Sequence, residues 1–189
     1  NHPTMTVTAE LGGRRVEAVH RMCPDIDVLG INSYGGLPSV PERYRKLGGT
    51  KPVIITEFGP PGVWEIGMTD FGAPPELTSS QKAVVYREAF EAGCLAAEGL
   101  CLGGFAFTWG FKMEATSTWY GMFLPSGDKL AAVDAMTEVW SGQPPENLCP
   151  EIRDFSVVGE HIVLPGDTVR VQLDIVDPEG AEVAVNWLV

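Results

Sequence analysis

The chain has 189 residues, 44% of them hydrophobic, and carries 25 acidic against 13 basic side chains for a net charge of −12. That is ample apolar material for a packed core and excludes a disordered chain. Isolated basic pairs such as Arg14-Arg15 are not the clustered Lys and Arg that neutralise phosphates, which excludes nucleic acid as a partner, and no apolar run approaches the roughly 20 residues of a membrane span.

Thr4 to Ala9 reads as a strand, and Arg14 to Met22 as a helix with Val16, Val19 and Met22 inward. Asp27 to Tyr34 is a second strand, followed by a short helix, Val40 to Leu47, with Pro41 in its first turn. Lys51 to Phe58 is a third strand, apolar on both faces, as strands covered on both sides are. A long loop, residues 59–78, leads to a helix capped by Ser79 or Ser80 and running to about Glu98, with Ala83, Val84, Phe90, Cys94 and Ala97 at helical spacing. Leu102 to Trp109 is the fourth strand, and Lys129 to Trp140 a last helix with Leu130, Val133, Met136 or Thr137, and Trp140 on one side. Four strand-loop-helix units in succession predict parallel strands with right-handed crossovers, an α/β arrangement.

Behind the Pro-rich linker "SGQPPENLCP" the pattern changes. Residues 152–157, 168–175 and 182–187 alternate apolar and polar positions between the turn signals "PGD" and "DPEG", the pattern of an antiparallel sandwich of immunoglobulin type with Trp187 as its core tryptophan. The division expected is therefore residues 1–141, a linker at 142–150, and the start of a sandwich at 151–189. The first residue is not Met, residues 1–20 lack the pattern of a signal peptide, and Trp187-Leu188-Val189 stops inside an apolar run, so a piece of a longer protein is expected.

Cys23, Cys94, Cys101 and Cys149 match neither C-x-x-C metal spacing nor a dense disulfide framework. Buried free thiols are the simplest reading, with a Cys94–Cys101 bridge as the alternative. His2, His20 and His161 share no spacing, so no metal site is expected, nor any cofactor; Ser33 and Ser126 lack the G-x-S-x-G context of an esterase.

In parallel α/β folds, ligands meet the carboxyl ends of the strands. Here those ends supply Glu10, Asn32-Ser33-Tyr34, Glu57 and Trp109: carboxylates, an amide, a phenol and an indole, the groups that sugar chemistry uses. Glu57 is the leading candidate for a catalytic group, weighed against a strand-end carboxylate paired with a surface cation. Glu10, in "ELGG", reads as a solvated loop residue. Glu65 and Glu114 lie in rim loops with Trp64, Trp119 and Tyr120, where stacking on sugars and loop anchoring are both open.

"DVLGINSYGG", "KPVIITEFGPPGVWE" and "GGFAFTWGFKMEATSTWYGMFLPSGDKLAAVDAMTEVW" resemble strands six, seven and eight of the (β/α)8 barrel of the retaining glycoside hydrolases of clan A, most closely the catalytic domain of family 2, and "HPTMTVTAELG" fits the fifth strand. The resemblance spans residues 1–141 and implies half of a TIM barrel. It makes Glu57 the nucleophile, Tyr34 the residue that orients it and Trp109 the floor of the subsite for the cleaved sugar, with Asn32, Trp64, Glu65, Glu114 and Trp119 as further substrate-binding candidates. The clan's acid/base, a Glu after Asn at the end of the fourth barrel strand, has no counterpart here; the only adjacent pair of these residues is Glu146-Asn147, in the linker.

The expected protein is thus part of a retaining glycosidase acting on an oligo- or polysaccharide outside the cytoplasm or in the periplasm. It would need the N-terminal half of the barrel as partner and be inactive alone. The alternatives are a transglycosidase using the same nucleophile and a carbohydrate-binding barrel without catalysis.

Overall fold

The computed structural model describes residues 2–159 and 162–187. His161 and the last two residues of the Trp187-Leu188-Val189 run lie outside them. Among the described residues the order is β1 (Met5–Ala9), α1 (Arg15–Met22), β2 (Val28–Asn32), α2 (Val40–Lys46), β3 (Val53–Phe58), α3 (Ser79–Phe90), β4 (Cys101–Ala106), α4 (Ala131–Ser141), β5 (Glu151–Val158) and β6 (Arg170–Val176).

Strands β1 to β4 form one parallel sheet in sequence order. Alternation sends Leu29 and Ile31 of β2 and Val53 and Ile55 of β3 to the same side, where all four are buried with Val16, Tyr44, Tyr86, Phe90 and Met136 of the helices. The opposite face is open: Met5 is 45% and Val7 48% exposed. Val7 and Thr56 close over Gly30 on that face, and a Cβ at Gly30 would stand 2.8 Å and 2.9 Å from their methyl carbons, so a glycine there is what lets the neighbouring side chains meet.

The helices differ from their predicted form in detail. Thr78, not Ser79 or Ser80, caps α3, in a reciprocal capping box with Gln81; Ser79 instead accepts from the amide of Ala131, and Ser80 from that of Ile152. After Phe90 the helix widens into one π-helical turn, Glu91–Leu95, and ends short of Glu98. Its buried face carries Lys82, Tyr86, Ala89 and Phe90 while Val84 is exposed, because Lys82 points inward to an ion pair with Glu76 and to the carbonyl oxygen of Thr118. Met22 of α1 is exposed, since the helix ends there and its core contacts stop at Val19.

Cys94 and Cys101 form a disulfide joining the π turn to the start of β4, while Cys23 is exposed and Cys149 partly buried. The alternative pairing therefore replaces the expected set of buried free thiols. The eight residues from one cysteine to the other make a tight reversal that brings their Cα atoms to 5.1 Å, within bridging range.

Past the linker, β5 and β6 pair antiparallel. Residues 182–187 join no ladder; Trp187 instead stacks on Phe155 with ring centroids 6.2 Å apart and is more than half exposed, so it is not a core tryptophan. Among the described residues the hairpin has two paired strands and none of its hydrophobic side chains is fully buried, so there is no enclosed core for Trp187 to fill.

Candidate active site

The carboxyl ends of β1, β2 and β3 converge on a cleft of about 500 Å³, whose walls include Glu10, Asn32, Tyr34, Glu57, Trp64 and Phe107. Glu57 reaches it through an irregularity in the sheet. The β2–β3 register slips between Ile31 and Asn32, so Asn32 pairs with Glu57 where a regular ladder would set Thr56. Two successive side chains of β3 thereby serve the open face: Thr56 donates from Oγ1 to Asn32 Oδ1 at 2.6 Å, and Glu57 lines the cleft.

Tyr34 donates its phenolic proton to Glu57 Oε2 at 2.7 Å. The ring is walled by Trp64, Phe107 and Tyr120, with centroids 5.7, 6.0 and 5.4 Å away. Burial, then the hydrogen bond and charge of Glu57, push the Tyr34 hydroxyl far above the ordinary phenol range, so it remains a donor. Burial and then the charge of Glu114 push Tyr120 up to about 12.

Glu10 is half-buried rather than solvated. Its Oε2 accepts from Arg43 at 2.7 Å and from the Leu11 amide at 3.1 Å, and its Oε1 from the Ser33 hydroxyl. Burial pushes its carboxyl up, but the hydrogen bonds from Arg43, Ser33 and Leu11 and the Arg43 charge more than offset this and hold it below the usual carboxylate range.

The remaining sequence candidates divide. Trp64 and Glu114 line the cleft, Glu114 in an ion pair with Lys112 at 2.6 Å. Glu65 lines it too, yet its Oε2 accepts from the amides of Gly35 and Gly62, so it anchors two loops. Trp119 is only 3% exposed and donates from its indole to the Pro61 carbonyl at 3.1 Å, which removes it from the rim.

Trp109 does not line the cleft. It is 65% exposed and packs edge-on against Phe123. The strand ends at Ala106, where the Phe107 amide donates to the Phe58 carbonyl and the next amide, Thr108, turns away to Tyr120. Phe107 is thus the aromatic residue that β4 delivers to the cleft, with the Lys112 ammonium 4.6 Å from its ring centroid. Phe107, Lys112 and Arg43 were missed by sequence reasoning; a strand prediction three residues shorter would have exposed Phe107.

No protein-family model matches the sequence, and no curated protein matches it. Among solved structures, a family 39 beta-xylosidase from Caulobacter crescentus is similar at 12% identity with a TM-score of 0.50, over 82% of this chain and 35% of that one. A beta-glucuronidase from an uncultured Clostridium sp. aligns at 21% identity and TM-score 0.45, over 63% of this chain and 23% of its own. A beta-porphyranase of glycoside hydrolase family 86 from the human gut bacterium Bacteroides plebeius aligns at 11% and 0.35, over 84% and 39%. The sheet and its helices share the fold of the matching part of that xylosidase, and the chain spans about a third of its length.

Proposed function

We propose that the chain belongs to a retaining glycoside hydrolase in which Glu57 is the nucleophile. The observation that carries this reading is the 2.7 Å hydrogen bond from Tyr34 to Glu57, made at the carboxyl ends of parallel strands inside an aromatic-walled cleft. A carboxylate that must attack has to be ionised and aimed; a phenol held protonated by its surroundings does both, because it can only donate. Phe107 and Trp64 offer apolar faces against which a pyranose ring packs, and Asn32, braced by Thr56, presents an amide beside the nucleophile.

In this reading a Glu57 oxygen bonds to the anomeric carbon as the bond to the aglycone oxygen breaks, and the departing oxygen keeps the electron pair and takes a proton from a second carboxyl group. Water then cleaves the glycosyl ester and releases Glu57. The second carboxyl belongs about 5 to 5.5 Å from the first in a retaining enzyme. Glu10 does not suit that role, since an acid must carry a proton and Arg43 holds Glu10 ionised. We assign the acid to chain preceding Asn1, together with the strands that would complete a (β/α)8 barrel over the open face of Met5 and Val7. Strands β1 to β4 then stand as the fifth to eighth of that barrel, residues 151–187 begin an immunoglobulin-like sandwich, and a secreted or periplasmic enzyme acting on oligo- or polysaccharide is the natural setting.

The test is covalent trapping in the full-length protein. A 2-deoxy-2-fluoro glycoside with a good leaving group should add one sugar mass to the peptide bearing Glu57, and Glu57→Gln should abolish labelling without altering the melting transition. Labelling elsewhere, or normal turnover by the variant, overturns the assignment.

A further inference from the structure

Glu10 is built into the cleft at a conformational cost. Its φ of 59° places a non-glycine residue in the left-handed region, at the first position past the end of β1. The turn brings the carboxylate to the cleft wall, where α2 and the β2–α2 loop hold it through Arg43 and Ser33. Gly36 leaves the space: a Cβ there would stand 2.7 Å from Glu10 Oε1 and 3.2 Å from Ser33 Oγ. Arg43 also donates to the Gly36 carbonyl at 3.0 Å, so loop, guanidinium and carboxylate form one rigid unit. An ion pair needed only to fasten β1 to α2 would require neither the turned backbone nor a place on the cleft wall.

The charge of the wall points the same way. Glu10, Glu57, Glu65 and Glu114 line the cleft, and Lys112, the one cation among the described lining residues, is already paired with Glu114. Glu10 Oε1 receives only the Ser33 hydroxyl and retains acceptor capacity toward the cleft. An ionised carboxylate accepts from hydroxyl groups and repels another anion at the same place.

We propose, resting on the glycosidase reading above, that Glu10 is a specificity residue that accepts hydrogen bonds from the hydroxyls of a neutral sugar bound at Glu57 and excludes sugars carrying a carboxylate or sulfate there. Arg43 and Ser33 position Glu10 and do not touch the sugar.

The test uses matched probes, the methyl glycosides and methyl glycosiduronates of the gluco, galacto and manno series, which differ only at C6, titrated into the full-length protein by ligand-observed NMR. In at least one series the neutral member should bind about tenfold or more tighter than its uronate, the size of discrimination that one like-charge contact supplies. Glu10→Gln should weaken the neutral sugar several-fold and narrow that gap, Glu10→Asp should restore part of it, and circular dichroism should show both variants folded. Equal or tighter binding of the uronates, no binding in any series, or a folded Glu10→Gln variant with an unchanged gap overturns the proposal. If one of these variants does not fold, the gap in the unaltered protein decides alone. Trapping at Glu57 tests the underlying reading separately: labelling without discrimination sinks the role of Glu10, and discrimination without labelling sinks the nucleophile.

Discussion

The parallel sheet and the C-terminal hairpin are built from similarly apolar strands, yet they are held in opposite ways. Leu29, Ile31, Val53 and Ile55 are sealed under four helices, whereas Phe155, Val157, Val158 and Val171 of the hairpin are exposed and its order rests on the β5–β6 ladder. Its attachment to the sheet region is local: an apolar hollow that Ile152 and Phe155 share with Leu77 and Leu130, flanked by the Ile152 amide on Ser80 at 2.8 Å and the Cys149 amide on Asp134 at 2.6 Å. An apolar pattern therefore tells which residues could be buried, and only the cover decides which are.

The sharpest test of that contrast is a pair of truncations. Ile55→Ala removes methyl groups from a fully buried site and should cost about 2–5 kcal/mol in urea unfolding. Val171→Ala, on a partly open face, should change the stability by no more than about 0.5 kcal/mol. Equal costs at the two sites would mean that the hairpin is covered in solution and the contrast is false.

A middling effect is expected from the covalent tie, which only the sheet region has. Reducing Cys94–Cys101, or replacing both by Ala, frees a short closed loop of the unfolded chain and should cost about 2 kcal/mol. A thiol titration of the denatured, unreduced protein should find two free thiols, Cys23 and Cys149. Finding four would remove the tie and return those cysteines to ordinary core packing.

Sequence carried the sheet and its order because each of its strands is short, apolar and bounded by turn residues, as in Val53 to Phe58. The approach of Tyr34 and Glu57 was legible for the same reason, since both stand at strand ends on one rim. What sequence could not supply were quantities fixed by partners far along the chain. Glu10 read as solvated because Arg43 lies 33 residues away. Composition extends the fourth strand to Trp109, but its end is set by the ladder with β3, which stops at Ala106. The buried phase of α3 departs from its apolar spacing because Lys82 is tolerated inside only through Glu76. Residues 182–187 alternate like a strand, but no neighbouring edge takes them into a ladder.

The smallest expected effect lies at the seam between the two regions. Glu76 and Lys82 line the apolar hollow where Ile152, Phe155 and Trp187 meet the sheet region. Burial pushes the Glu76 carboxyl up, but hydrogen bonds from Lys82, Thr116 and Thr118 and the Lys82 charge outweigh it and hold it below its ordinary value. A depressed carboxyl contributes stability that is fully present above its unfolded pKa and is lost as pH falls through the lower folded value. Acidification below the ordinary carboxylate range should therefore strip Lys82 of its counter-charge and loosen the seam by about 1 kcal/mol, the net scale of one intramolecular hydrogen bond. Hydrogen exchange should show β5 amides losing protection before those of β3 in that window. In Glu76→Gln the acid-dependent step should vanish, with the seam already weaker at neutral pH because Lys82, 7% exposed, has lost its anion. If β3 and β5 lose protection together in the native protein, the two regions open as one unit and the comparison fails at the place where they touch.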